Sequence, residues 1–362
     1  MKPFFSIIIP YYNAGATIGK LTSSIGRSKG APPYEVIIVD DGSGEPLSLP
    51  VWQATRQPRP AKGGARNDGL RVIRLPKNMG PAVARNRGVE SAKGKFVVFL
   101  DSDVELFPDA LANLARIYTD DPDVVAVTGV WVKTQRSRAF FPNYKALRDW
   151  SYWINERDKS GYYFLFSTRI ASIKKTVFTR LGGFDEMYPA PLVEDIELTY
   201  RIARRYAIIF APNVRVRHEF EHFWPVAKKY FLRAYYWTKL YARRKKFDPV
   251  ATTWWEALTT ITGVGTVIGG IVSVWLVPWR LYFTNYESGI LHQGINGLIV
   301  RLIPDSIFLI PFILHLFLTR KFLAFMIREK GIVFALRGYL MGLILSCFIF
   351  AGALAGRLTV GR

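Results

Sequence analysis

The segment Phe96-Val97-Val98-Phe99-Leu100-Asp101-Ser102-Asp103 is an apolar run that ends in two carboxylates separated by one small residue. Side chains alternate faces along an extended backbone, so Asp101 and Asp103 point the same way at the carboxyl end of a buried strand. Carboxylate oxygens that leave coordination positions open suit Mg²⁺ or Mn²⁺, whose other ligands are waters and phosphate oxygens. The chemistry implied is metal-assisted handling of a diphosphate. Asp-Ser-Asp also caps helices and builds turns, so the reading depends on what stands at the neighbouring strand ends.

Further clusters follow other apolar runs: Pro10-Tyr11-Tyr12-Asn13, Val39-Asp40-Asp41-Gly42-Ser43, and Asn78-Met79-Gly80 leading to Ala84-Arg85-Asn86. Tyr12 offers a flat face on which a nucleobase can stack. Ionised Asp41 accepts hydrogen bonds from a base N–H or ribose hydroxyls, and a uracil-like imide is a suitable donor; Asp40 can cap the next element instead. Arg85 falls in a helical pattern over residues 81–92 whose face can turn toward a diphosphate or toward solvent. Further on, Gly182-Gly183-Phe184-Asp185-Glu186 precedes Leu192-Val193-Glu194-Asp195. The glycines permit a tight loop, and the carboxylates of Glu194 and Asp195 favour the positive end of the helix expected over 194–205, as ligands of that helix or as reactive groups.

The elements that must position these residues are strands expected at 4–9, 35–39, 71–75, 96–100, 124–130 and 208–216, alternating with helical patterns that include 108–118. This is an α/β pattern with a parallel sheet, which binds ligands at the carboxyl ends of its strands. Residues 45–69, rich in Pro, Gly and Arg, read as a basic insertion, and residues 144–211 as a second lobe. The expected division is 1–222 for the α/β domain, with halves at 1–135 and 136–222, then interfacial helices at 223–255 and a membrane region at 256–362.

Half of the 362 residues are hydrophobic and 15% aromatic, which excludes a disordered chain. The net charge of +21 calls for anionic partners, phosphates or an anionic membrane surface. The single cysteine, Cys347, excludes an intramolecular disulfide and a cysteine metal site and fits a reducing compartment. Residues 4–9 end at Pro10 and read as a strand rather than a secretory leader. Residues 257–277 hold no charge and are long enough to cross a bilayer; further spans are expected at 302–318, interrupted by Pro304, Asp305 and Pro311, and at 338–356. Asp305 marks a functional position if it lies within the membrane and a structural one if it lies at the interface. Arg320, Lys321, Arg328, Lys330 and Arg337 between the last two spans place that connection and the amino-terminal domain in the cytoplasm, anchored in the cell (inner) membrane. Between 223 and 247 eight Lys or Arg and no acid are interleaved with aromatics, the composition of an interfacial helix on anionic lipids rather than of a nucleic-acid surface.

Together the motifs, in this order, resemble the inverting family 2 glycosyltransferases of the nucleotide-diphospho-sugar transferase (GT-A) fold, over about residues 3–220. The resemblance implies a GT-A type, mostly parallel sheet flanked by helices, followed here by an all-α membrane segment of about three transmembrane helices. It implies that Tyr12, with Pro10 and Asn13 beside it, contacts the base, and that Asp41 receives the nucleoside. Asp103 binds the Mg²⁺ or Mn²⁺ while Asp101 reaches ribose or metal-bound water, and His218 resembles a third metal ligand or diphosphate contact; His222 is the weaker candidate. Asp195 matches the catalytic base, with Glu194 beside it. A hydroxyl nucleophile must lose a proton, whereas a polyprenyl phosphate is already ionised, so the Glu-Asp pair favours a hydroxyl acceptor. The chain has Phe231-Leu232-Arg233-Ala234-Tyr235-Tyr236-Trp237 where processive synthases carry Gln-x-x-Arg-Trp, which favours transfer of a single sugar. The expected partners are a nucleotide-sugar donor, UDP-linked by the Asp41 argument, and a lipid-linked or glycan acceptor. Polyprenyl-phosphate glycosylation and a non-catalytic membrane scaffold are the alternatives.

Overall fold

A computed structural model describes residues 2–47, 67–155, 164–188, 192–247, 253–286 and 295–359. The expected basic insertion at 45–69 lies for the most part outside these residues. The chain divides into two compact units, one of residues 1–150 and 157–221 and one of residues 151–156 and 222–362.

In the first unit, β1 (Phe5–Tyr11), β2 (Tyr34–Asp40), β3 (Asn67–Arg74), β4 (Phe96–Leu100), β5 (Val104–Leu106), β6 (Ala126–Trp131), β7 (Ile170–Lys174) and β8 (Ile208–His218) form one sheet in the order β3-β2-β1-β4-β7-β6-β8-β5. Strands β3, β2, β1 and β4 run parallel, β6 and β8 are parallel, and β7 and β5 run antiparallel to their neighbours, so the sheet is mixed. Every residue of β2 and β4 is buried, the mark of strands covered on both faces. The covering elements include α1 (Gly15–Gly26), α2 (Pro81–Glu90) and α3 (Ala110–Asp120), whose Tyr118 ring stacks 3.8 Å from Phe96.

The strand order reverses between β1 and β4, which opens a crevice at their carboxyl ends, where Tyr12, Asp41 and Asp101 follow their strands. Expected strand 4–9 continues to Tyr11 and includes Pro10. β1 pairs with β4 only as far as Ile8, so Pro10 lies beyond that ladder and its missing N–H breaks no bond there. Gly129 lets the Val214 carbonyl approach β6 where a Cβ would strike it, and the β6–β8 register shifts at that point.

The second lobe of the first unit begins with α4 (Phe140–Trp150) and adds α5 (Lys175–Arg180) and α6 (Glu194–Ala203). A π-helical turn, Ser151–Asn155, follows α4 directly and belongs to the second unit.

That unit contains α7 (Phe223–Arg244), α8 (Trp254–Tyr286), α9 (Ile295–Lys330) and α10 (Ile332–Leu358). Among the described residues three helical stretches are long and apolar enough to cross a membrane: Trp254–Leu276, Phe308–Lys330 and Ile332–Leu358. The second overlaps the expected 302–318 over residues 308–318. Arg320, Lys321, Arg328 and Lys330, read as loop, are helical, because Lys and Arg are good helix formers whose heads can snorkel from a span's end. Only Gly331, at φ 85°, separates α9 from α10. Pro304 and Asp305 fall within α9, and the Asp305 side chain lies outside what is described. Helix α7 packs along α10, where Gly352 and Gly356 face the backbone of Phe231 and Tyr235.

At the amino-terminal edge of the sheet, buried Glu35 accepts from Ser6 Oγ at 2.6 Å, Lys93 N–H at 2.6 Å and Arg71 Nη2 at 2.7 Å. Burial pushes this carboxyl up, but those three donors outweigh it and hold the pKa below the usual range. The stabilisation is therefore fully present above the ordinary carboxylate range and is lost as pH falls through the lowered folded-state value. Glu35→Gln should lose less apparent melting temperature than the parent protein between about pH 6 and about pH 3. Parallel losses in detergent-solubilised protein would remove Glu35 from this account.

Candidate active site

The nucleoside side of the crevice is built from turns that hold one another. Asn13, at φ 50°, donates its N–H to Ser43 Oγ at 2.9 Å, and its Oδ1 accepts from Gly44 N–H at 3.1 Å. These bonds join the turns after β1 and β2 and leave Tyr12 49% exposed at the rim. Asp40 accepts from Ser43 N–H at 3.0 Å and stands 3.5 Å from Arg74, so it fixes its own turn. Asp41 is buried and receives Met79 N–H on one oxygen and Gly80 N–H on the other, each at 2.8 Å. Gly80 sits at φ 93°, and Pro81 then opens α2 with no N–H to satisfy. Burial raises the Asp41 pKa and Asp40 raises it further, while the two backbone donors pull it down; the net shift is upward. A carboxylate has about four lone-pair sites, so Asp41 retains capacity toward a ligand.

Helix α2 carries Arg85 into the centre of the first unit, where the residue is 2% exposed. Its Nη2 donates to Asp101 at 2.8 Å and its Nη1 to Glu194 at 2.9 Å, while the guanidinium carbon lies 5.4 Å from the Phe184 ring centre. Arg85, expected to face a diphosphate, thus commits both terminal nitrogens to carboxylates. Burial would lower its pKa, but Asp101 and Glu194 outweigh burial and raise it. The next residue reinforces the link: Asn86 Nδ2 donates to the Phe184 carbonyl and its Oδ1 accepts Phe184 N–H, both at 2.9 Å.

The structure separates the members of the expected Glu-Asp pair. Glu194 is 3% exposed, binds Arg85 and accepts Leu192 N–H at 2.9 Å, which makes it a structural acid beneath the site. Asp195 is half-buried in the first turn of α6, where its Oδ1 accepts Ile196 N–H at 2.8 Å.

At the metal corner, Asp103 Oδ2 and His218 Nε2 stand 3.3 Å apart, with the Asp103 side chain 43% exposed. The pairing comes from a strand too short for sequence patterning to show: β5 begins immediately after Asp103 and places Val104 opposite His218 of β8. His218 Nδ1 is buried with no hydrogen-bond partner among the described residues. Gln135, which the sequence did not single out, holds this segment by donating to the His218 carbonyl and accepting Phe220 N–H, each at 2.8 Å. Among the described residues no group of three or more His, Cys, Asp or Glu is gathered as a metal cage. Asp103 and His218 still suit a cation that takes its remaining ligands from water and phosphate. His222 precedes α7 and belongs to the second unit.

Comparison with known proteins agrees with this arrangement. The family model described as Glycosyl transferase family 2 matches residues 6–182. A putative teichuronic acid biosynthesis glycosyltransferase, TuaG of Bacillus subtilis (strain 168), is 31% identical over 134 residues, 37% of this chain and 49% of the relative. The succinoglycan biosynthesis protein ExoO of Rhizobium meliloti (strain 1021) is 32% identical over 135 residues, 35% of each chain. This chain thus spans about a third to a half of the length of these relatives. The mannosyltransferase PcManGT from Pyrobaculum calidifontis, solved with GDP-Man and Mn²⁺, is similar in fold, with a TM-score of 0.54 and 19% identity over 100% of this chain and 89% of its own. The motifs after β1, β2 and β4 all fall inside the matched region, so it is residues 6–182 that are similar to glycosyl transferase family 2.

Proposed function

We propose that the protein is a membrane-anchored inverting glycosyltransferase that moves a single sugar from a nucleoside-diphosphate sugar to a hydroxyl of a membrane-associated lipid-linked or glycan acceptor. The observation that carries this reading is the Arg85 bridge, which joins a donor-side acid, Asp101, to an acceptor-side acid, Glu194, across one buried guanidinium. Kinship with proteins named for teichuronic acid and succinoglycan biosynthesis supports a place in cell-envelope polysaccharide assembly. The three apolar helices and the basic α7 support anchoring in the inner membrane with the catalytic unit cytoplasmic.

In this reading Tyr12 stacks on the base, and the unused lone pairs of Asp41 accept from its N–H or from ribose. Asp103 and His218 would hold Mg²⁺ or Mn²⁺, which would supply positive charge for a departing diphosphate. Mn²⁺ beside GDP-Man in the fold relative PcManGT supports a divalent ion. Asp195 takes the proton of the acceptor hydroxyl while that oxygen attacks the anomeric carbon from the face opposite the departing diphosphate. The new glycosidic bond forms as the bond from carbon to phosphate oxygen breaks, and its electron pair leaves with the nucleoside diphosphate. Glu194 holds Arg85, and Arg85 holds Asp101 beside the cation.

Asp195→Asn should lower transfer from a labelled nucleotide sugar by about a hundredfold or more with nucleotide binding within about twofold of the parent. Asp103→Ala should abolish the metal-dependent part of the thermal stabilisation given by a nucleoside diphosphate. Full transfer by the first variant, or undiminished metal-dependent stabilisation of the second, would withdraw the assigned role.

Replacing Arg85 with Met leaves two carboxylates facing each other without their cation and should cost about 3–5 kcal/mol. Adding Glu194→Leu removes one of those charges and should recover part of the loss in denaturant unfolding; simple additivity would show that the bridge is not a unit.

The raised pKa of Asp41 means that its ionised form is depleted at a higher pH than for an ordinary carboxylate. Nucleotide affinity should therefore weaken on acidification earlier than an unperturbed aspartate would dictate, and Asp41→Asn should flatten that limb of a calorimetric pH series. An unchanged acid limb in the variant would place the titrating group elsewhere.

A further inference from the structure

The carboxyl edge of the sheet carries a second charged cluster that the reaction above does not use. Lys145 and Asp149 lie one turn apart on α4 and pair directly, both largely buried. Arg169, immediately before β7, reaches the same carboxylate at 3.6 Å with its side chain 16% exposed. That separation exceeds a hydrogen bond, so Asp149 attracts the guanidinium without fixing it. What fixes it is aromatic: the guanidinium carbon stands 4.4 Å from the Trp131 ring centre and 5.7 Å from that of Phe220. Lys145 Nζ lies 5.0 Å from the same Phe220 ring. Among the described residues, two cations share one carboxylate in an aromatic-walled niche.

The register places this niche at the reaction centre. Leu100 pairs with Ile170, so Asp101 and Arg169 are the next residues on either strand at the same end. Trp131 pairs with Val216, two residues before His218, and the His218 ring meets Phe220 at 4.5 Å. The niche therefore adjoins both Asp101 and the Asp103–His218 pair.

A guanidinium held over an indole is restrained in position, and its planar fork of N–H groups can take two phosphate oxygens at once. Arg85 has committed both terminal nitrogens to Asp101 and Glu194, so an incoming phosphate finds at Arg169 the guanidinium that Arg85 does not offer. Cation–π contact lowers the cost of a partly buried cation but leaves its charge in place. An anionic oxygen completes it.

We propose that Arg169, held over Trp131 and backed by Lys145 and Asp149, is a phosphate-binding subsite of the active centre; the assignment rests on the glycosyltransferase reading for its place in the reaction. Two phosphates can fill it: the departing diphosphate, or a phosphate carried by the lipid acceptor. Isothermal titration of the full-length protein in detergent, as parent, Arg169→Gln and Arg169→Lys, separates them. The probes are UDP and GDP with Mn²⁺, and a polyprenyl monophosphate beside the neutral polyprenol of equal length in mixed micelles.

If the subsite holds the donor phosphate, Arg169→Gln weakens UDP or GDP by about tenfold and leaves the lipid monophosphate unaffected; if it holds the acceptor phosphate, the loss appears for the monophosphate alone. In either case Arg169→Lys, which keeps charge but not the planar fork, recovers part of the affinity. Unchanged affinity for every phosphate probe in a folded Arg169→Gln protein overturns the proposal. If Arg169→Gln does not fold, Arg169→Lys decides, and parent-like affinities there overturn it equally. A parent protein that binds no nucleoside diphosphate defeats the glycosyltransferase reading, while the lipid arm still decides the subsite. Binding of neither class defeats both.

Discussion

One guanidinium shared by two carboxylates governs the architecture of the catalytic unit. Arg85 is out of water, and a buried cation is tolerated only when it is paired. Asp101 must therefore stay at the end of β4 and Glu194 at the start of α6, although the two are far apart in sequence. Asn86, one residue on, repeats the tie through the backbone of Phe184. The helix that follows the third strand thereby fixes the distance between the end of β4 and the start of α6. A bridge of this kind contributes little net stability over an apolar replacement, since desolvation opposes the attraction. Its value lies in fixing one arrangement of the acids.

Much of this was legible in the sequence because the central strands are buried on both faces and read as unbroken apolar runs; β4 appears with its expected bounds. The acidic pair, the turn residues after β1 and β2, and the carboxylates opening α6 stand where the pattern put them. Side-chain commitment was not legible. Nothing in the local spacing says that Arg85 turns inward to two acids instead of outward to a phosphate, because that choice depends on partners brought in by tertiary contact. Nor could a three-residue strand announce itself, yet β5 is what brings His218 beside Asp103. Lys145 and Asp149 carry a helical spacing in the sequence, whereas the approach of Arg169 to them depends on the pairing of β7 with β4.

In the second unit the hydropathy of the spans was readable and their ends were not. Charges that a sequence reading assigns to a loop lie on α9 itself, which carries four basic residues in its last eleven positions before Gly331. The contact of α7 with Gly352 and Gly356 of α10 gives this basic helix a protein surface to rest on. Buried Thr262, His315 and Ser346 meet around Gly263, so polar groups as well as apolar packing join the spans.

The shortness of β5 has a consequence for how this chain can vary. Asp103 is followed without a spacer by Val104, which pairs with His218, and Leu106 pairs with Val216. Because the faces of a strand alternate with every residue, adding or removing a single residue between Asp101 and Leu106 would turn Asp103 away from His218. In descendants of this chain the six residues from Asp101 to Leu106 should accordingly change in identity before they change in number.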